Sequence, residues 1–204
     1  MKLHTSPTSP YGRKVKVVAH ETGLIDELSL HNVQTSAVAP DLGLVADNPL
    51  GKIPCLVLAD GRGLYDSRVI CEYLDRRHHG PRLIPNDGVA RWDALRLQAL
   101  GDGILDAALL ARYETALRPE ERRWSAWIDG QLDKVDRALD RLETVEAPAF
   151  GATVDIGAIT IGCALGYLDF RFAERDWRSR RPALAEWYAQ FAVRPSMRAT
   201  RPHG

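Results

Sequence analysis

Apolar and polar positions change rhythm along this chain near residue 80. Before that point, short apolar runs alternate with stretches that have one apolar face. Residues 2–5 read as a short strand, and a Ser/Thr/Pro turn after them leads into a helix from about Tyr11 to Thr22. Val15, Val18, Ala19 and Thr22 share one face of that helix, and Gly23 is placed to end it. Leu28–Val33 fits a second strand, whereas residues 35–51 are broken by Pro and Gly and read as loop. After Pro54, the run Cys55–Ala59 has the length of a buried strand, and Asp60-Gly61 signals a hairpin into Gly63–Tyr65. A helix follows from Ser67 to about His79, with Val69, Ile70, Tyr73 and Leu74 as its apolar stripe.

The segment Gly80–Gly88 holds two prolines and two glycines and is the clearest break in the pattern. Everything beyond it has helical period, over about Val89–Tyr113, Pro119–Glu146, Val154–Phe172 and Pro182–Val193. The expected architecture is an α/β domain over 1–80, a linker over 81–88 and an all-α domain over 89–204.

Composition narrows the partners. Lys plus Arg (27) equals Asp plus Glu (27), so no net field draws the chain to nucleic acid or to an anionic membrane. The local basic run Arg171–Arg181 reads as a solvated helix end and loop rather than a nucleic-acid site. Cys55, Cys71 and Cys163 are odd in number and lack any CxxC spacing, which argues against a disulfide scaffold and fits a reducing compartment. The start shows no apolar run of signal-peptide length, and Ile156–Leu168 is too short to span a bilayer. A soluble cytoplasmic protein is expected. Cys71, Asp75 and His78 share a helical face, but no fourth ligand is evident and no metal is expected.

Three short motifs could carry chemistry. In Ser9-Pro10, a serine precedes a proline at a helix start, the N-cap and N1 pairing. Such a hydroxyl sits at the positive end of a helix dipole, where it can simply cap the helix or can stabilise an anion or thiolate. In Asn48-Pro-Leu-Gly-Lys-Ile-Pro54, the proline just before a buried strand suggests a cis Ile53–Pro54 bond, with the Ile53 backbone free to pair with an extended peptide. In Asp66-Ser67-Arg68, Ser67 is well placed as an N-cap, and the pair could alternatively hold a ligand's α-carboxylate and α-amine.

These motifs, in this order, resemble the glutathione S-transferases. The resemblance continues through VDIGAITIGCALGYLDFRF (154–172) and WYAQFAVRPSMRATRP (187–202), and so covers essentially the whole chain. It implies a thioredoxin-like glutathione-binding domain, an all-helical second domain and a homodimer. By the same resemblance Ser9 faces the glutathione sulfur, with Ser6, Thr8 and Tyr11 as rival hydroxyls. Ile53 and Pro54 pair with the cysteinyl part, Asp66 and Ser67 hold the γ-glutamyl end, and Lys52 reaches the glycyl carboxylate. Tyr11, Leu105, Arg112 and Tyr167 are the implied electrophile site. Family members often carry Ser or Thr three residues before the acidic residue that opens the buried helix. Here Ala152 stands there and Thr153 comes one residue late, altering the cap on Asp155. The implied activity is conjugation of glutathione, as co-substrate, to a small apolar electrophile. The alternatives are a non-catalytic scaffold of the same fold, or isomerase, peroxidase or dehalogenase chemistry using glutathione.

Overall fold

The computed structural model describes residues 1–147, 150–151 and 154–203. The altered cap at Ala152 and Thr153 lies outside the described residues. The chain divides into two units, Met1–Arg91 with Pro195–Gly204, and Trp92–Arg194.

In the first unit four strands form one sheet. They are β1 (Lys2–Thr5), β2 (Ser29–Asn32), β3 (Cys55–Val57) and β4 (Gly63–Leu64), in the order β2-β1-β3-β4. β1 and β2 run parallel, which requires a crossover, and helix α1 (Pro10–Glu21) supplies it. β3 runs antiparallel to both β1 and β4, with Leu3 opposite Leu56 and Leu56 opposite Leu64. Leu3 and Leu56 are fully buried, while all four residues of the edge strand β2 are exposed. Gly23, at φ +71°, turns the chain after α1 as the sequence suggests.

Three local features depart from the sequence reading. Residues 35–51 contain a short helix, α2 (Leu42–Asp47), opened by Asp41, whose carboxylate accepts from the Leu44 N–H at 2.7 Å. Its Leu44 is fully buried in a cluster with Val33 and Cys55, and that burial holds so short a helix in place. Helix α3 (Ser67–Asp75) stops before His79, because the buried Asp75 carboxylate accepts from the N–H groups of Leu83 (2.8 Å) and Ile84 (3.2 Å). That ties down the Pro/Gly-rich segment. The N-cap of α3 is Asp66, not Ser67, with Oδ1 accepting from the Arg68 N–H at 2.9 Å.

The end of the chain belongs with this unit rather than with the helical one. Helix α8 (Pro195–Ala199) packs on α1. Arg13, 5% exposed, donates to the Met197 carbonyl at 3.1 Å and to Thr200 Oγ1 at 3.4 Å. Burying a guanidinium demands such partners, and the returning chain provides them.

The second unit is helical. It takes most of α4 (Gly88–Ala116), then α5 (Ser125–Arg141), α6 (Ile156–Arg171) and α7 (Pro182–Phe191). The stretch expected as one helix from Pro119 begins instead with a single tight turn, Glu120–Arg122. The Glu114 carboxylate accepts from the Trp124 N–H at 3.0 Å and folds the chain back before α5 begins. α5 then widens into a π turn over Leu142–Glu146. Residues 156–168 of α6 are buried throughout, and Asp155 caps the helix by accepting from the Ala158 N–H at 2.8 Å. α4 and α6 approach closely at two glycines. A Cβ on Gly157 would stand 2.6 Å from Leu97 Cβ, and one on Gly101 would stand 2.9 Å from Thr160 Cγ2. In the basic run, Arg175 pairs with Asp136 (2.7 Å), Arg178 with Asp169, and the buried Arg181 with Asp140 (2.7 Å) and Asp136 (3.2 Å).

Candidate functional site

Strand pairing brings the three motifs to one end of the sheet. Ser9 follows the end of β1, Ile53–Pro54 precedes the start of β3, and Asp66–Ser67 follows the end of β4. Because β3 is antiparallel to both neighbours, His4 lies opposite Cys55, and Leu56 opposite Leu64, at that same end.

Ser9 is the N-cap of α1, and its Oγ accepts from the Gly12 N–H at 3.1 Å. The capping reading therefore holds as geometry. It engages a lone pair of Oγ and leaves the O–H without an acceptor among the described residues. The first turn of α1 carries no acidic side chain to compete for its N-terminus. A Cβ at Gly12 would collide with Thr5 Oγ1 at 2.3 Å, so only glycine lets α1 start this close to β1. Thr5 Oγ1 is itself buried without a partner among the described residues. Tyr11, in the same turn, is half-buried.

The Ile53–Pro54 bond is cis, as the sequence suggests, and Pro54 is buried. The loop before it is organised by Asn48, 1% exposed, a residue to which the sequence reading gave no role. Its Nδ2 donates to the Lys52 carbonyl at 2.7 Å, and its Oδ1 accepts from the Leu50 N–H at 3.1 Å. The signal was an Asn directly before Pro in a turn, where a side-chain amide can replace backbone partners. The side chain of Lys52 is exposed. Ser67, at the first position of α3, is 2% exposed, and its hydroxyl has no partner among the described residues.

The chain's own thiols are poorly suited to chemistry. Cys55, Cys71 and Cys163 are all buried. Burial, and then the charge of Asp47, push the Cys55 thiol up to about 11, so it stays protonated at neutral pH. Asp47 is held below the usual carboxylate range by hydrogen bonds from Lys2 (2.8 Å) and His4 (2.7 Å). Among the described residues no group of His, Cys, Asp and Glu is arranged to hold a metal ion. None of the described helices is long and apolar enough to cross a membrane.

In the helical unit Leu105 is fully buried, Arg112 is half-buried, and Tyr167 is 3% exposed. Burial pushes the Tyr167 phenol up to about 12, against the opposing charges of Arg112 and Arg171.

Residues 8–77 match the model of the glutathione S-transferase N-terminal domain, and residues 125–190 match that of the C-terminal domain. The chain belongs to the glutathione S-transferase family. Its thioredoxin-like sheet unit and helical unit are the two parts of that fold. A family relative from Escherichia coli K12, the uncharacterized GST-like protein YibF, is 35% identical, with 99% of this chain and 98% of the relative covered. A glutathione transferase family member from Pseudomonas fluorescens Pf-5, solved with bound glutathione, is 54% identical with a TM-score of 0.98 over 100% of this chain and 99% of its own. A second structure from the same organism holds S-(propanoic acid)-glutathione, at 51% identity and a TM-score of 0.93 over the full length of both chains.

Proposed function

We propose that this glutathione S-transferase family member conjugates the thiolate of glutathione to small, largely apolar electrophiles. The observation that carries the reading is the Ser9 hydroxyl, held at the N-terminus of α1 with its O–H uncommitted. It stands at the same end of the sheet as Ile53–Pro54 and Ser67. In this reading Ser9 donates to the sulfur, the Ile53 backbone pairs with the cysteinyl amide, Asp66 and Ser67 hold the γ-glutamyl end, and Lys52 meets the glycyl carboxylate. Tyr11, Leu105, Arg112 and Tyr167 belong to the electrophile site.

The magnitudes are adequate. A thiol of pKa about 8.5 is only a few per cent ionised at pH 7, and lowering it by about 2 units takes about 2.7 kcal/mol. A hydrogen bond to a charged group gives about 1.5–3 kcal/mol, and a helix N-terminus about 0.3–1 kcal/mol. One hydroxyl plus the dipole suffices. Ser9 acts as a donor to an anion and is not itself deprotonated.

The working form is a cytoplasmic homodimer, with each chain binding its own glutathione; light scattering at the mass of one chain would refute the dimer. The function is tested by glutathione titration in a calorimeter, followed by turnover with aryl halides, epoxides, peroxides and enones. Binding with glutathione-dependent turnover of at least one electrophile is expected. Binding without turnover on the whole panel favours a scaffold role, and absence of glutathione binding overturns the reading altogether.

A further inference from the structure

The helical unit contains a cavity of about 320 Å³ between the later part of α4, the start of α5 and the end of α6. That is the small end of the range for ligand sites, room for one ring and a short chain. One wall is apolar, made by Ile128, Leu132 and Phe172. The other is cationic, made by Arg112, Arg171 and Arg175.

The three arginines differ in one decisive respect. Arg175 is neutralised by Asp136 at 2.7 Å. Arg112 and Arg171 have no carboxylate in ion-pair distance among the described residues, although other arginines of the same basic run do. Arg171 Nε is buried without a hydrogen-bond partner, and its guanidinium lies 3.9 Å from the centre of the Phe170 ring. Burial and the neighbouring charge of Arg112 both hold Arg171 below its ordinary value. Two half-buried like charges beside an apolar wall, one with an orphaned donor, form an arrangement that an anion would relieve. An inorganic anion would leave the apolar wall unused. A carboxylate on an apolar body uses both walls, and the two planar forks suit its geometry.

We propose that this cavity binds a small apolar carboxylic acid, with the carboxylate between Arg112 and Arg171 and the hydrocarbon against Ile128, Leu132 and Phe172. Arg112 is also one of the electrophile-site residues of the proposed function. The inference therefore gives the second substrate a negative charge and, for catalysis, rests on that reading; the binding itself needs no glutathione.

The test is calorimetric titration without glutathione, using 4-phenylbutanoate and its uncharged analogue 4-phenylbutanamide. The acid is expected to bind at least tenfold more tightly than the amide, and less tightly as salt is raised. Arg171→Gln and Arg112→Gln should each weaken the acid about tenfold or more and weaken the amide far less. Glu174→Gln, which removes the anion lining the same cavity, should tighten the acid. If Arg171→Gln does not fold, Arg112→Gln and the acid-to-amide ratio in the unaltered chain still decide. Equal affinity for acid and amide, no heat from the acid, or an acid affinity unmoved by both arginine changes overturns the proposal. A glutathione titration of the same preparation keeps the two readings apart. Glutathione binding without acid binding sinks this inference alone, and acid binding without glutathione binding supports it while sinking the proposed function.

Discussion

Replacing Ser9 by alanine and, separately, by glycine divides helix capping from thiolate stabilisation. The Ser9 oxygen accepts from the Gly12 N–H at 3.1 Å, and its O–H is a second, independent bonding group. Alanine removes both, and the lost cap should cost about 0.5–2 kcal/mol of stability. Glycine is tolerated at an N-cap with a loss of only a few tenths of a kcal/mol, yet it removes the O–H as completely. If the O–H serves the sulfur, both variants should raise the pKa of bound glutathione by about 1–2 units, the equivalent of about 1.5–3 kcal/mol. A thiol at about 6.5 is about three-quarters ionised at pH 7, whereas one at about 8 is about a tenth ionised. Turnover near neutral pH should then fall several-fold and recover in part above about pH 8, where the thiol ionises unaided. The assay is the ultraviolet absorbance of the bound thiolate against pH in the three proteins, with thermal unfolding alongside. Superimposable titrations, with stability lost only in the alanine variant, would refute the reasoning. They would make Ser9 a cap alone and pass the sulfur to Thr8, Ser6 or Tyr11.

Ser67→Ala should weaken glutathione by about 1.5–3 kcal/mol, a hydrogen bond to a charged carboxylate, and unchanged calorimetric affinity would remove Ser67 from the site. Asn48→Ala should cost about 1–3 kcal/mol by leaving the Leu50 N–H and Lys52 carbonyl without their partner, and should weaken glutathione by loosening the loop before Pro54; denaturant unfolding and calorimetry read the two effects. Gly157→Ala should destabilise the chain by about 1–3 kcal/mol, since the added methyl meets Leu97 Cβ and the Ala94 carbonyl, and an unmoved melting temperature would contradict that close packing. Arg96 grips Glu146 at 2.9 and 3.1 Å and holds its carboxyl below the usual range. A carboxyl with a depressed folded pKa stabilises above its unfolded value, about 4.3, and loses that contribution as pH falls through the folded value. With Arg96 half-exposed the gain is at most about 1 kcal/mol, so Glu146→Gln should lower stability by at most that much at pH 7, and the difference should shrink as pH falls through the folded value.

Much of this was legible from local rules, because period and punctuation mark the elements that bury one face. The β1, α1, β2 and β3 segments, the cis Ile53–Pro54 bond and the helical half all follow from such patterns. What stayed hidden depends on contacts distant in sequence. The six residues of α2 are too few for a period, and only the burial of Leu44 against Val33 and Cys55 shows why a helix forms there. The cap of α3 moved from Ser67 to Asp66 because either side chain satisfies the same local rule. Arg171 and Arg175 look alike in the sequence, and only the fold shows that Asp136 pairs with Arg175 while no carboxylate among the described residues pairs with Arg171.

The return of α8 to α1 has a bearing on how the protein is made. The backbone partner of Arg13 at Met197 is 184 residues further along. At a synthesis rate of about 5–20 residues per second, roughly 10–40 seconds separate the emergence of the two from the ribosome. During that interval the Arg13 guanidinium must stay hydrated and one flank of α1 must stay open. The Trp92–Arg194 unit is contiguous in sequence and lies wholly between the two parts of the other unit. The half of the chain that is translated first therefore cannot finish folding until the Pro195–Gly204 segment has emerged.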